Sequence, residues 1–162
     1  MQYVMKEKWL ALGNDFAITD ASGREVFYVD GRAFSLGDKL SFQDASRREV
    51  AFIRQRLLSW GPTYEVTRGG EVLATVKKKL FTLFKHRFFV DVPGPNDLEA
   101  KGDFFDHEYE FVQQDRVVAT VSKRWISLTD SYGIDVAEGT DDVLILACAV
   151  VIDLCCHEKR DH

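Results

Sequence analysis

Residues 143–156 have the sequence VLILACAVVIDLCC, in which a ten-residue apolar run is followed by Asp153 and three further apolar side chains. An acidic stretch with one glycine, residues 138–142, precedes this segment, and a charged tail, residues 157–162, follows it. If the segment forms a helix, apolar residues cover every side of it, so that no face is suited to water. Such a helix must be surrounded by protein or by lipid, and that alternative determines what kind of protein this is.

The length of the segment favours burial in protein. Asp141 to Cys156 is sixteen residues, which is about 24 Å as an α-helix, whereas a membrane span usually needs about twenty apolar residues. Thr140 can cap the start, and the acids of the first turn suit the helix dipole. Small side chains in the middle, Ala147, Cys148 and Ala149, allow strands to approach closely. We therefore expect a protein-buried helix over about residues 141–156, with a lipid-inserted helix as the alternative.

The chain before this segment repeats itself in short β-type units. Residues 20–26, DASGREV, recur as residues 44–50, DASRREV, and residues 71–79, EVLATVKKK, recur as residues 116–124, RVVATVSKR. Each copy follows a polar turn and then alternates apolar and other residues, as an antiparallel strand does. The repeats predict four equivalent strands that begin at Val26, Val50, Val72 and Val117.

The spacing of these repeats predicts hairpins that close into a barrel. The strand starts are 24, 22 and 45 residues apart, and a unit of roughly 22 residues holds two strands of about six residues with their turns. A large meander of such hairpins curls, and closure removes its edges. A wide barrel leaves a cavity that the terminal helix can fill. We predict one mainly β domain over residues 1–162, with its strands within residues 1–136 as an antiparallel barrel around a central hydrophobic helix.

The composition describes a folded, acidic protein. Hydrophobic residues make up 46% of the 162 residues and charged residues 29%, which excludes disorder as the main description. The net charge of -5 argues against nucleic-acid binding, so any anionic partner would need a local basic patch. Charges within residues 1–8 occupy the place where a signal peptide carries its apolar stretch. We therefore expect a cytoplasmic protein, with or without peripheral association at a membrane.

All three cysteines lie in the terminal segment, at positions 148, 155 and 156, and they cannot form a disulfide framework. We expect reduced, buried thiols. Metal binding by cysteines together with His157 is the alternative, but the spaced ligand pairs of zinc sites are missing. The sequence therefore predicts neither a metal site nor a cofactor.

Six motifs carry a resemblance to a known family. In chain order they are LGDKLSF (36–42), IRQRLLS (53–59), ATVKKK (74–79), VSKRW (121–125), DSYGIDV (130–136) and DVLILA (142–147). In this order, with a lone hydrophobic helix at the end of a β-rich chain, they resemble the tubby C-terminal-like superfamily. Within it, the chain is similar to the LURP-one-related family of small single-domain proteins, over essentially its whole length.

The resemblance implies a twelve-stranded β-barrel wrapped around a central C-terminal helix, which agrees with the hairpin pattern. It also implies a setting for function, because tubby proteins bind phosphoinositides through basic surface residues and phospholipid scramblases are similar in fold. Plant LURP-one-related members are associated with pathogen defence. Fold similarity alone does not transfer function. No lipid-binding residue of tubby matches a position of this chain one by one, so none is carried over.

The sequence predicts a basic rim at one end of the barrel. In the repeat, Lys77 to Lys79 correspond to Ser122, Lys123 and Arg124, and strands two apart in a meander run the same way. Their equivalent ends therefore share one rim. The candidate ligand-binding residues are Lys77, Lys78, Lys79, Lys85, Arg87, Lys123, Arg124, Arg54 and Arg56. The alternative is that these cations are solvated strand ends that protect the sheet.

The sequence contains two polar clusters besides the predicted rim. Asp103, Asp106, His107 and Glu108 could bind a divalent ion or transfer protons, but their spacing matches no established loop, so we expect a solvated turn. Asp153 interrupts the apolar segment and, when buried, must be paired. We expect it at the barrel mouth, bonded to strand backbone or to His157, with a proton-transfer site as the alternative.

Three tryptophans, at positions 9, 60 and 125, could form a binding platform, although aromatic residues of strands are more often packed. The chain shows no nucleophile-elbow pattern and no phosphate-binding glycine loop, and a filled barrel lacks the deep pocket of most small-molecule enzymes. We therefore expect a non-catalytic binding module whose basic rim recognises anionic lipid headgroups, such as phosphoinositides, or an acidic partner. The alternatives are a protein-interaction domain without lipid affinity and a scramblase-like, lipid-associated protein. No transmembrane span is expected.

Overall fold

In the part of the chain that the structure describes, short alternating stretches form twelve antiparallel strands, which close into a barrel around one helix. The structure is a computed structural model and describes residues 1–8, 15–31, 39–56, 61–80, 86–126 and 130–157. Each strand pairs with its neighbours in the chain, and β12 pairs with β1 to close the barrel. The strands are β1 (Gln2–Lys8), β2 (Asp15–Asp20), β3 (Glu25–Gly31), β4 (Lys39–Asp44), β5 (Glu49–Gln55), β6 (Thr63–Arg68), β7 (Glu71–Leu80), β8 (His86–Asp91), β9 (Leu98–Asp103), β10 (Glu108–Gln113), β11 (Arg116–Ser122) and β12 (Ser131–Val136).

The architecture confirms the predicted barrel and the predicted repeat. Each of the four equivalent strands, β3, β5, β7 and β11, begins one residue before the valine that the repeat indicated. In four even-numbered strands the register shifts by one residue near the following polar turn, at Ile18/Thr19, Phe42/Gln43, Val66/Thr67 and Phe111/Val112. Such bulges increase the local twist of a strand. The internal sequence repeat is therefore also a repeat of backbone irregularities.

The helix α1 (Asp142–His157) occupies the interior of the barrel. Every residue from Leu144 to Leu154 is at most 6% exposed. The barrel wall packs around them with inward residues such as Ile53, Val66 and Phe88. The prediction that the apolar segment is buried by protein is confirmed, and its predicted bounds are displaced by one residue. No helix among the described residues is both long enough and apolar enough to cross a bilayer.

The course of α1 distinguishes the two ends of the barrel. We call the end where α1 begins the near end, and there the chain turns after β2, β4, β6, β8, β10 and β12. We call the opposite end, where α1 finishes, the far end. The chain turns there after the odd-numbered strands. The two ends differ in composition and in how they hold the helix.

Both ends of the helix are capped by side chains that the sequence did not identify. At the near end Oδ1 of Asp141 accepts a hydrogen bond of 3.2 Å from the backbone N of Leu144, so Asp141 caps the helix and the prediction of Thr140 was wrong. Both guanidinium NH2 groups of Arg68 bind the same carboxylate at 3.1 Å. At the far end Nζ of Lys78 donates to the carbonyl oxygen of Cys155 at 3.3 Å. A cation at this position satisfies a terminal carbonyl and suits the helix dipole.

Candidate functional site

Five cations predicted for the rim lie on the outer wall at or near the far end, four on strands β5, β7 and β8 and one, Arg56, directly after β5. Strand alternation directs Ile53, Val76 and Phe88 inward, so the neighbouring cations face outward. We call this set the basic patch; it consists of Arg54, Arg56, Lys77, Lys79 and Arg87. Strand β6 lies between β5 and β7, so the patch crosses four adjacent strands.

Carboxylates on neighbouring strands pair with most of the basic patch. Glu65 of β6 lies between Arg54 and Arg56, at 3.7 and 3.5 Å, with its own side chain only 13% exposed. Lys77 binds Asp91 at 2.9 Å, and Arg87 binds Glu99 at 3.1 Å. Among the described residues, the five cations face three carboxylates, so the positive charge of the patch is reduced there but not cancelled.

Lys79 differs from the other members of the patch. Its Nζ lies 4.7 Å from the centroid of the Phe89 ring, which is a cation–π distance. Among the described residues it has no carboxylate partner within ion-pair distance. Lys79 is therefore the member of the patch whose charge is most available to an anionic ligand.

Four other residues predicted for the rim, and a neighbouring histidine, have different positions. Lys78 lies on the inner face of β7, as strand alternation requires, and its ammonium group donates a hydrogen bond to a carbonyl oxygen at the end of α1. Lys123 and Arg124 follow β11 at the far end, three strands away from β8, and Arg124 is 84% exposed. Lys85 lies outside the described residues, as does the side chain of His86. The nine predicted residues thus share one end of the barrel where they are described, but they do not form one continuous surface.

A buried polar cluster lies inside the barrel towards the far end, around Asp153 of α1. The hydroxyl of Tyr132, in β12, donates to Oδ2 of Asp153 at 2.5 Å, and the Met5 sulfur lies 2.8 Å from the same hydroxyl. Nδ1 of His107 lies 3.4 Å from Oδ1 of Asp153. The His107 and Tyr132 rings stack with centroids 4.2 Å apart. Asp153 is thus held by side chains of the wall.

The turn between β9 and β10 is solvated at Asp103 and Asp106, as expected, but the expectation was wrong for His107. His107 is only 8% exposed. Its φ of 52° is a left-handed backbone conformation that residues other than glycine rarely adopt. Asp103 accepts a hydrogen bond from the backbone N of Asp106 at 3.1 Å, and Glu108 binds the end of β11. The side chain of His157, the partner first expected for Asp153, lies outside the described residues.

Burial disfavours the charged forms of Tyr109 and of two cysteines in the interior of the barrel. Burial, followed by the field of Asp153, raises the pKa of Tyr109 well above its usual value, and its hydroxyl has no hydrogen-bond partner among the described residues. Burial raises the pKa of the Cys148 thiol to about 12 and that of Cys156 to about 11. None of the three cysteines, all of which lie in the described part of the chain, forms a disulfide bond. Within the described ranges, no group of three or more His, Cys, Asp or Glu side chains is arranged to hold a metal ion.

Two exposed aromatic residues lie at the far end, and the sequence had singled out one of them. Phe105, in the turn after β9, is 49% exposed, and Trp125, after β11, is 50% exposed. We call this pair the aromatic tip. Trp125 covers Gly133 of β12, because a Cβ at that glycine would lie 2.8 Å from its ring. Trp9 and Trp60, the other members of the predicted platform, lie outside the described residues.

Comparisons with known proteins agree with this architecture. The sequence pattern of the LURP-one-related family matches residues 1–153. The chain belongs to the LURP-one-related family. A relative from Bacillus subtilis, the uncharacterized protein YxjI, is 35% identical over 161 residues, which are 99% of this chain and 97% of that protein. The resemblance drawn from the six motifs is thereby confirmed.

The fold of this LURP-one-related protein also matches a solved structure. The X-ray structure of a protein from Arabidopsis thaliana superimposes with a TM-score of 0.70, at 23% sequence identity, over 94% of this chain and 90% of that chain. At this level of identity the likeness shows the fold alone. The family and the fold are therefore established, and the function must be argued from the surface and the interior of the barrel.

Proposed function

We propose that the protein is a non-catalytic binding module whose basic patch binds the anionic headgroups of lipids. The observation that carries the proposal is the concentration of cations on the outer wall between β5 and β8 of a chain with a net charge of -5: Arg54, Arg56, Lys77, Lys79 and Arg87. Each cation near an anionic membrane surface contributes about 1 kcal/mol of attraction. A patch with more cations than carboxylates can supply this attraction at one place although the whole chain is acidic.

The closed barrel weakens the alternative explanation for these cations. Lysine at the end of a strand often protects an exposed sheet edge from pairing with another chain. Here β1 and β12 are hydrogen-bonded, and β5 to β8 are paired on both sides, so these strands have no edge to protect. Ion pairs with exposed side chains contribute little to stability. The basic patch is therefore better explained by an external ligand than by the needs of the sheet.

Vesicle co-sedimentation tests the proposal. The protein is mixed with phosphatidylcholine vesicles that contain either phosphatidylserine, a phosphoinositide or no anionic lipid. We expect binding only to the anionic vesicles, with weakening at high salt, because the attraction is screened. Reversing two charges, in Lys79→Glu/Arg87→Glu, should lower the affinity by at least about tenfold. Arg116→Glu/Arg24→Glu, which makes the same charge change in exposed residues at the near end, should bind as the unaltered protein does.

Three results would overturn this function. Equal binding to neutral and anionic vesicles would remove the headgroup from the explanation. Equal losses of affinity for anionic vesicles in the patch variant and in the near-end variant would show that binding depends only on the net charge of the protein. If the unaltered protein does not bind any vesicle, the alternative of an interaction domain without lipid affinity gains, and a protein partner captured through the same patch would support it.

A further inference from the structure

Exposed aromatic side chains are found at only one end of the described barrel. Met1, Val72 and Val117 are the other large hydrophobic residues that are exposed in the described ranges, and all three are aliphatic and lie at the near end. Phe105 and Trp125, the aromatic tip, lie at the far end beside Lys123 and Arg124. Aromatic rings concentrate at the interface between lipid headgroups and acyl chains, and cations are attracted to anionic headgroups. The far end thus combines both features.

The Glu108 carboxylate fixes the strand ending that carries Trp125. Its Oε1 accepts hydrogen bonds from Oγ of Ser122 at 3.0 Å and from the backbone N of Lys123 at 3.1 Å. Nε of Arg124 lies 4.0 Å from the same oxygen. Because Glu108 begins β10, these contacts join the end of β11 to the turn that carries Phe105. The two aromatic residues are therefore held on linked turns.

Gly133 positions the Trp125 ring itself. The ring lies against the backbone of β12, at a distance that only glycine permits, since an added Cβ would lie 2.8 Å from Cε3. One face of the indole is thus packed on the wall while half of the residue remains exposed to solvent. A ring that is already fixed loses little conformational freedom on binding, which favours its use as an anchor.

We infer that the far end of the barrel enters an anionic bilayer surface, with the rings of Phe105 and Trp125 inserted at the level of the headgroups. Lys123, Arg124 and the basic patch then contact the headgroups around the inserted rings. This inference rests on the proposed function and adds two things to it. The partner is a lipid bilayer rather than a soluble anion, and α1 points its C-terminal end towards the membrane.

Quenching by brominated lipids tests the insertion directly. Trp125→Phe retains an aromatic ring, so the difference in emission between the unaltered protein and this variant is the contribution of Trp125. We expect this contribution to fall when the anionic vesicles carry bromine on their acyl chains, while the affinity of Trp125→Phe stays within about twofold. A Trp125 contribution that brominated lipid does not quench would overturn the inference.

Affinity measurements supply a second, independent readout. Trp125→Ala and Phe105→Ala should each weaken binding to anionic vesicles by about tenfold. Each variant lacks the exposed half of a large apolar side chain, and this surface can no longer be transferred from water to lipid on binding. Val117→Ala is the matched control, since Val117 is also 50% exposed but lies at the near end, and it should bind normally. Circular dichroism and thermal melting establish that each variant is folded. If Trp125→Ala does not fold, Phe105→Ala and the quenching experiment still decide the question.

The outcomes separate this inference from the proposed function. Salt-sensitive binding that charge reversal in the basic patch abolishes, but that both alanine variants retain, would support the function and contradict insertion. The inference would also be contradicted if a soluble headgroup, at the same phosphate concentration as the vesicles, displaced the protein from them, because a soluble anion would then suffice for binding. Absence of any binding by the unaltered protein would overturn both.

Discussion

At the near end of the barrel the strands are joined by polar turns, whereas the connections of the far end are rich in large apolar residues. Near-end residues 21–24 and 45–48 have the sequences ASGR and ASRR, while residues 9–14, 57–60 and 81–85, which join β1 to β2, β5 to β6 and β7 to β8, have the sequences WLALGN, LLSW and FTLFK. The last three segments lie outside the described residues, so this contrast is one of sequence. The candidates for function, the basic patch and the aromatic tip, also lie at or near the far end.

The two ends also hold α1 with matched but unequal contacts. At the near end Tyr3 of β1 donates a hydrogen bond to Asp142, and burial together with this bond raises the pKa of Tyr3. At the far end Tyr132 of β12 donates to Asp153, whose residue is only 5% exposed. The same pair of residue types therefore fixes both ends of the helix, but the far-end carboxylate is the one shielded from water. This difference in burial can be tested.

Glycine substitutions should reveal the largest difference between the ends. Gly102, at the far end of β9, has a φ of 139°, and an added Cβ would lie 2.6 Å from the backbone oxygen of Glu108. Gly102→Ala should therefore lower the free energy of unfolding by about 3 kcal/mol or more. Gly23, at the near end, has a φ of 86° and open space around it, so Gly23→Ala should cost only about 1 kcal/mol. Urea denaturation measures both.

Equal losses of stability from these two variants would contradict the argument, because Gly102 differs from Gly23 both in its φ, which is less accessible to alanine, and in the crowding around it. An unchanged denaturant slope in each variant would show that the substitution changes stability and not the compactness of the denatured state.

Removal of the two tyrosine hydroxyls should give the next largest difference. Tyr132→Phe leaves the buried Asp153 without its shortest hydrogen bond and should lower the free energy of unfolding by about 2–3 kcal/mol. Tyr3→Phe should cost about 1 kcal/mol, because Asp142 is only half-buried and water can replace the hydroxyl. Chemical denaturation at neutral pH measures both values. A larger loss from Tyr3→Phe would show that burial of the carboxylate does not determine the effect.

Features that depend on local sequence were predictable, whereas those that depend on contacts across the barrel were not. The helix and the four repeated strands follow from apolar patterning and from turns, which a short stretch of sequence specifies. Burial of His107 depends on α1 bringing Asp153 to the turn after β9, and no signal near residue 107 indicates it. Lys78 is an intermediate case, because the alternation of Ala74 and Val76 already places it on the inner face of β7.

The basic patch and the aromatic tip show the same division. The repeat indicated that Lys77, Lys123 and Arg54 share an end of the barrel, because strands two apart run the same way. It could not indicate that Glu65, Asp91 and Glu99 pair with the patch, since those contacts depend on the register between strands. Nor could it indicate that Trp125 is half exposed, because this exposure depends on the packing of its ring on Gly133 of another strand.

The smallest predicted effect concerns two near-end turns that are nearly identical in sequence. Asp20 accepts hydrogen bonds from the backbone N of Ser22 and Arg24 at 2.9 and 3.1 Å, and Asp44 accepts from the equivalent residues, Ser46 and Arg48, at the same distances. The two sequences differ at one position, where one turn has Gly23 and the other has Arg47. That position has a φ of 86° in the first turn and 64° in the second. The two turns thus share a backbone conformation, although only the first has the glycine that suits it.

Arg47 offsets this strain with its side chain, so its replacement by glycine should be nearly neutral. Its guanidinium lies 3.1 Å from Glu25 and 4.0 Å above the Tyr28 ring, contacts that together contribute about 1 kcal/mol at an exposed site. Arg47→Gly loses these contacts but relieves about 1 kcal/mol of left-handed strain, so its stability should lie within about 0.5 kcal/mol of the unaltered protein. Arg47→Ala loses the contacts and keeps the strain, and it should be about 1 kcal/mol less stable than Arg47→Gly. Urea unfolding of the two variants side by side measures this difference, and equal stabilities would show that the Asp44 hydrogen bonds alone determine the turn.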